Sequence, residues 1–127
     1  MRALTKEWVD KAEADFLTAC REARVRKAPN YDAVCFHCQQ CIEKYLKAFL
    51  QKRGQRFRRI HDLIELLGLC LPYDASFELH RDLFKDLNGY AVNIRYPGES
   101  ATREMMRITL RETKLARAFL RQKLGLS

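Results

Sequence analysis

"CFHCQQCIEKYLKAFL", residues Cys35 to Leu50, decides the fold of this chain. It opens with cysteines in a C-x2-C-x2-C spacing that a metal cluster could use, and it closes with the apolar rhythm of a helix. A ferredoxin-type cluster needs a further cysteine followed by proline; Tyr45 stands in that place and no proline follows. A zinc knuckle that recruited His37, Cys20 or Cys70 would ordinarily turn at glycine, and no glycine interrupts this run. At roughly 100° per residue, Val34, Cys38, Cys41, Tyr45 and Phe49 fall on one stripe, with Cys35, Ile42 and Leu46 beside it. The thiols then serve as small core side chains, and no metal site is expected.

On the other side of this helix the pattern predicts that Gln40, Glu43, Lys44 and Lys47 project away from the core, with His37 at the margin. Phe36 and Leu50 are interleaved among them. That mixture fits a contact between two copies of the chain, and it equally fits single exposed hydrophobes of the ordinary kind.

Outward from this stretch, the punctuation is that of a helix-rich chain. Thr5 is the expected cap of a first helix that keeps Trp8, Ala12, Phe16, Ala19 and Ala23 on one face until "RKAPNYD" stops it. Asn30 caps the second helix, which runs through Arg53 to a stop at Gly54. After the basic loop "GQRFRRIHD" a short third helix, "LIELLGLCL", ends at Pro72. Asp74 caps a fourth, "ASFELHRDLFKDLNGYA", ending around Gly89. "VNIRYPGES" is a connector, because Pro97 biases Tyr96 away from helix and Gly98 follows. Ser100 then caps a fifth helix to about Lys123, with Ile108, Leu115 and Phe119 inward. Glu112 falls among these three and is expected at a bundle edge that water reaches. The expected architecture is all-α, an up-and-down bundle of about five helices forming one domain over residues 1–127.

Composition bounds the function. A chain of 127 residues buries a core without staples, and its 5 unevenly spaced cysteines do not suggest a disulfide framework. The first residues carry charge throughout and no later run approaches a membrane span, so a soluble, cytoplasmic protein with no membrane role is expected. The net charge of +8 favours a polyanionic partner. The glycines are too few to cradle a pyrophosphate, so no cofactor is expected and any nucleotide must be held by side chains. Arg103, Arg107, Arg111, Lys114, Arg117 and Arg121 gather into a cationic band on the fifth helix. Such a band can meet phosphates, or it can be a solvated outer face that pairs with scattered carboxylates.

Taken together, "WVDKAEADFLTA", "CFHCQQCIEKYLKAFL", "HDLIELL" and "LNGYAVNIRYPGE" resemble the HEPN domain family, the nucleotide-binding domain of higher eukaryotes and prokaryotes. The likeness spans nearly the whole chain. It implies a helical bundle, commonly a homodimer, often encoded beside a minimal nucleotidyltransferase as a toxin–antitoxin-like pair. It also implies nucleotide or RNA binding, with Arg95, Tyr96, Lys44, Lys47, Glu43 and His61 as residues that would frame an anionic pocket.

Many members are metal-independent ribonucleases whose motif sets an arginine four to six residues before a histidine. This chain departs from that motif, because no histidine follows Arg95. Arg56 precedes His61 by the right interval, but in the loop before the third helix. Catalysis is therefore left open, with Arg95, His61 and Arg56 as its candidates. The alternatives are a ribonuclease with an unconventional acid–base set and a non-catalytic protein-interaction module.

Overall fold

The computed structural model describes residues 1–93 and 96–127. The described residues form α1 (Ala3–Ala23), α2 (Tyr31–Lys52), α3 (Leu63–Cys70), a 3-10 helix (Ala75–His80), α4 (Arg81–Asn93) and α5 (Arg103–Lys123). Among them there is no strand, and no helix is long and apolar enough to cross a membrane. The architecture is the all-α, up-and-down bundle expected.

Most helix ends follow local chemistry. Asn30 Oδ1 accepts from the N–H of Ala33 at 3.0 Å and starts α2. Gly54, at φ +71, ends it in the paired pattern that a left-handed glycine allows: Gln55 N–H reaches Leu50 O at 2.9 Å and Gly54 N–H reaches Gln51 O at 3.1 Å. Asp62 caps α3 through the N–H groups of Ile64 and Glu65.

Four expectations are corrected. The first helix starts at Ala3, leaving Thr5 buried inside it, because Ala3 and Leu4 offer nothing that breaks a helix and Lys6 N–H already bonds Arg2 O at 3.0 Å. The cap of α5 is Thr102, whose side chain accepts from Met105 N–H, and not Ser100. The fourth helix is split, since tighter winding over Ala75–His80 sets Phe77 4.7 Å from Phe49 and His80 3.9 Å from Phe119, ring to ring. α4 also runs past Gly89, which has no positive φ and is tolerated mid-helix at a cost of about 1 kcal/mol.

α2 is the axis of the molecule, packing against α1, α3, α4 and α5. Its Cys41, Ile42, Tyr45, Leu46, Phe49 and Leu50 join Leu63, Leu66, Leu67, Phe77, Phe84, Leu87 and Leu120 in the main core. A smaller cluster of Ala19, Val34, Cys38 and Met106 fills the other end, between α1, α2 and α5. Cys35, Cys38, Cys41 and Cys70 are fully buried, so the sulfurs occupy core positions. Desolvation pushes the Cys38 and Cys70 thiols up to about 12.

The inner face of α5 differs from the pattern. Met106, Thr109, Thr113, Ala116 and Leu120 are buried, while Leu115 is 59% exposed and Ile108 and Phe119 are half-buried. The helix is turned by about one residue because two threonines make an acceptable core face. Thr109 Oγ1 donates to Met105 O and Thr113 Oγ1 to Thr109 O, each at 2.7 Å, which satisfies both hydroxyls within the helix. Small side chains here let α5 approach the cysteine-bearing part of α2, where Cys35 Sγ lies 3.7 Å from Thr109 Oγ1. Glu112 consequently sits half-buried at the α4 edge and accepts from the Tyr90 hydroxyl at 3.3 Å.

Candidate functional site

The last turns of α1 and the first half of α5 form an open groove of about 440 Å³. Its floor is apolar: Met106 is buried, and Cys20, Ala23 and Leu110 are half-buried. Its rim is cationic, with Arg24 from the end of α1 and Arg103, Arg107, Arg111 and Lys114 from α5, all exposed. An adjoining cavity of about 440 Å³ shares Ala23, Arg24 and Arg103 and adds Val25, Arg26 and Tyr31.

Local chemistry fixes this geometry. Ala28 adopts a left-handed φ of 53 and Asn30 N–H bonds Glu22 Oε2 at 3.2 Å, folding the loop after α1 back on its helix. Asp32 at the start of α2 accepts from Ala101 N–H at 2.6 Å and so ties down the entry to α5. Among the described residues, none of Arg24, Arg26, Arg103, Arg107, Arg111 and Lys114 pairs with a carboxylate. Positive charge concentrated beside low-dielectric walls raises the local concentration of anions.

The cationic band read from the sequence therefore divides. Its first four members line the groove. Arg117 and Arg121 turn to internal work: Arg117 donates from Nε to Glu13 Oε2 at 2.7 Å and its guanidinium lies 4.4 Å over the Phe16 ring. Arg121 donates to the Tyr45 hydroxyl and to Ser127 O, each at 2.9 Å. Burial first, and then the hydrogen bond that its hydroxyl donates to Glu13, push the Tyr45 phenol up.

A second constellation brings together three of the residues named from the family resemblance, Glu43, Lys47 and His61. Glu43 and Lys47, expected on an outward face, are buried at 3% and 5% exposure, because the loop from Gln55 to Asp62 and the side chain of Trp8 lie over that part of α2. Leu50 is fully buried too, whereas Phe36 is exposed. Lys47 Nζ donates to Glu43 Oε2 at 2.9 Å and lies 5.5 Å from the Trp8 ring centre. Gln39 donates to His61 O at 2.9 Å. His61 Nδ1 is 3.2 Å from Glu43 Oε2, and its side chain is 70% exposed. A neutral ring that gives Nδ1–H to Glu43 presents Nε2 to solvent, the arrangement that suits a proton acceptor.

Lys44 does not join this group. It pairs with Asp15 at 2.5 Å, and His37 Nδ1 meets the same carboxylate at 2.7 Å. Arg56 is exposed on the loop before α3. Tyr96 is 69% exposed on the turn closed by Glu99 N–H to Tyr96 O at 3.1 Å. Arg95 lies outside the described residues.

Sequence reasoning missed Arg24 and the floor residues Met106 and Leu110, and it read Arg26 and Tyr31 only as parts of a helix stop. Basic residues packed around a helix stop, next to a helix with a basic face, were the signal that could have found them.

Comparison with known proteins agrees with this architecture. A family model described as the HEPN domain matches residues 5–123. The crystal structure of TT1696 from Thermus thermophilus superposes with a TM-score of 0.78 at 24% identity, covering 94% of this chain and 97% of that one, a likeness of fold. No curated protein matches the chain.

Proposed function

The chain belongs to the HEPN domain family, and on that premise we propose that it binds a nucleotide or RNA through the groove between α1 and α5. The observation that carries this reading is the set of five exposed cations, Arg24, Arg103, Arg107, Arg111 and Lys114, around an apolar floor. Guanidinium groups match phosphate oxygens in fork geometry, and the floor offers apolar surface to a base. In this reading the protein is a cytoplasmic homodimer that works with a minimal nucleotidyltransferase in a toxin–antitoxin-like pair. The family supports that part, and co-purification of the two proteins tests it.

The test of binding is fluorescence anisotropy with labelled RNA and labelled ATP. Reversing Arg107 and Arg111 together to glutamate is expected to abolish binding at about 150 mM salt, a near-physiological ionic strength, while the melting curve stays cooperative. Replacing both with alanine should lower the slope of log K against log salt by about 1.4, roughly 0.7 for each phosphate no longer neutralised. Undiminished binding by the doubly reversed protein refutes the assignment.

A second reading, RNA cleavage without a metal, is favoured by the His61–Glu43 contact. Mixed RNA incubated with the pure protein and with His61→Ala decides it: cleavage that disappears in the variant supports an enzyme, and an inert wild-type protein removes the reading.

A further inference from the structure

We infer that the groove holds an extended single strand of nucleic acid, phosphates along α5 and bases against the floor and Tyr31, in preference to a mononucleotide or a duplex; this rests on the binding reading above. The cations carry the first step. Arg103, Arg107 and Arg111 recur every four residues on one helix, about 6 Å apart along its axis at about 1.5 Å per residue. That interval is comparable to the step between successive phosphates of an extended strand. The phosphates of a single nucleotide share bridging oxygens and crowd together, so they would engage one or two of these side chains and leave the others unused.

The floor carries the second step. Leu110, half-buried above the buried Met106, offers apolar surface between the cations, which a stacked duplex, with its base faces hidden, cannot cover. A single strand has free base faces, and stacking on aromatic side chains beside a cationic groove that tracks the backbone is how proteins hold such strands without reading sequence. Tyr31 provides a ring in the adjoining cavity, which shares Arg24 and Arg103 with the groove, so the same strand can pass from one to the other. With the arginines and Lys114 engaged by phosphates, only the Cys20 thiol and the Tyr31 hydroxyl are left among the lining side chains to meet base edges, so the binding should depend little on sequence.

The experiment titrates the full chain with labelled single-stranded RNA of one to ten nucleotides, the same sequence as a duplex, labelled ATP, and polyglutamate as a competitor. Affinity should climb with length and level off by about five nucleotides, because Arg103 to Lys114 spans about 16 Å of helix. The salt slope for the longer strands should be about −3, four phosphates at about 0.7 each, or roughly 50-fold weaker binding at 200 mM than at 50 mM. Tyr31→Leu should weaken the strands at least about fivefold, and tripolyphosphate less.

ATP binding as tightly as the ten-mer, or a duplex matching the strand, overturns the strand inference and leaves the binding reading intact. Polyglutamate displacing RNA at equal or lower charge concentration overturns the strand in favour of an acidic protein partner. Failure of every phosphate ligand to bind overturns the reading on which the inference stands.

Discussion

Arg117 on α5 holds Glu13 on α1 through two hydrogen bonds, Nε to Oε2 at 2.7 Å and Nη2 to Oε1 at 2.5 Å, and the hydroxyl of Tyr45 on α2 donates to the same carboxylate. Three helices thus meet on one charge. The Arg117 hydrogen bond, opposed by burial and aided by Tyr45, holds the Glu13 carboxyl below its ordinary 4.5.

A depressed carboxyl stabilises the fold above its unfolded-state value and loses that contribution as pH falls through the folded-state value. Glu13→Gln should therefore cost about 1–3 kcal/mol at pH 7, between the figures for exposed and buried pairs, and flatten the loss of stability below pH 4.5. Urea melts of both proteins from pH 7 to pH 3 measure the two effects.

His80 predicts a slope at higher pH. Burial, and then the charge of Lys123, push its imidazole below the ordinary 6.5. The folded protein takes up this proton less readily than the unfolded chain, so stability is full above about pH 6.5 and falls as the pH drops below it. His80→Phe keeps a ring against Phe119 and should remove the slope between pH 7 and pH 5 in the same melts.

The buried threonines of α5 predict unequal responses to two substitutions at one site. Thr113→Val keeps the volume and removes a hydroxyl whose acceptor, Thr109 O, already serves the helix, so it should cost under about 1 kcal/mol. Thr113→Leu adds bulk where α5 lies close to α2 and should cost about 1–3 kcal/mol. Thermal denaturation separates them.

The thiols should differ sharply in reactivity. Cys20 is half-buried in the groove, whereas Cys35, Cys38, Cys41 and Cys70 are fully buried with thiols pushed up by desolvation. Mass spectrometry after a short native treatment with iodoacetamide should find Cys20 modified first, and all 5 cysteines only after denaturation. Rapid native labelling of Cys38 or Cys41 would contradict this packing.

The helices were legible where one residue makes the decision. Asn30, Gly54 and Asp74 act within a few positions of the chain, and a sequence shows them directly. The cysteine stripe was legible for a similar reason, since its spacing and the absence of glycine left a continuous helix. The inner face of α5 was not, because threonine reads as polar until its hydroxyl is seen bonded to its own helix. Glu43 and Lys47 look outward for the same reason, since each supplies the partner that permits the other's burial. The groove needed the fold, which brings the end of α1 beside Arg103, far away in sequence.

α2 touches every other α-helix, and 13 of its 22 residues are buried. No neighbour can peel away without wetting part of it, so partial opening is penalised almost as heavily as complete loss of structure. The molecule should come apart in a single cooperative step, with the amides along this central helix the last to exchange their hydrogens for deuterium.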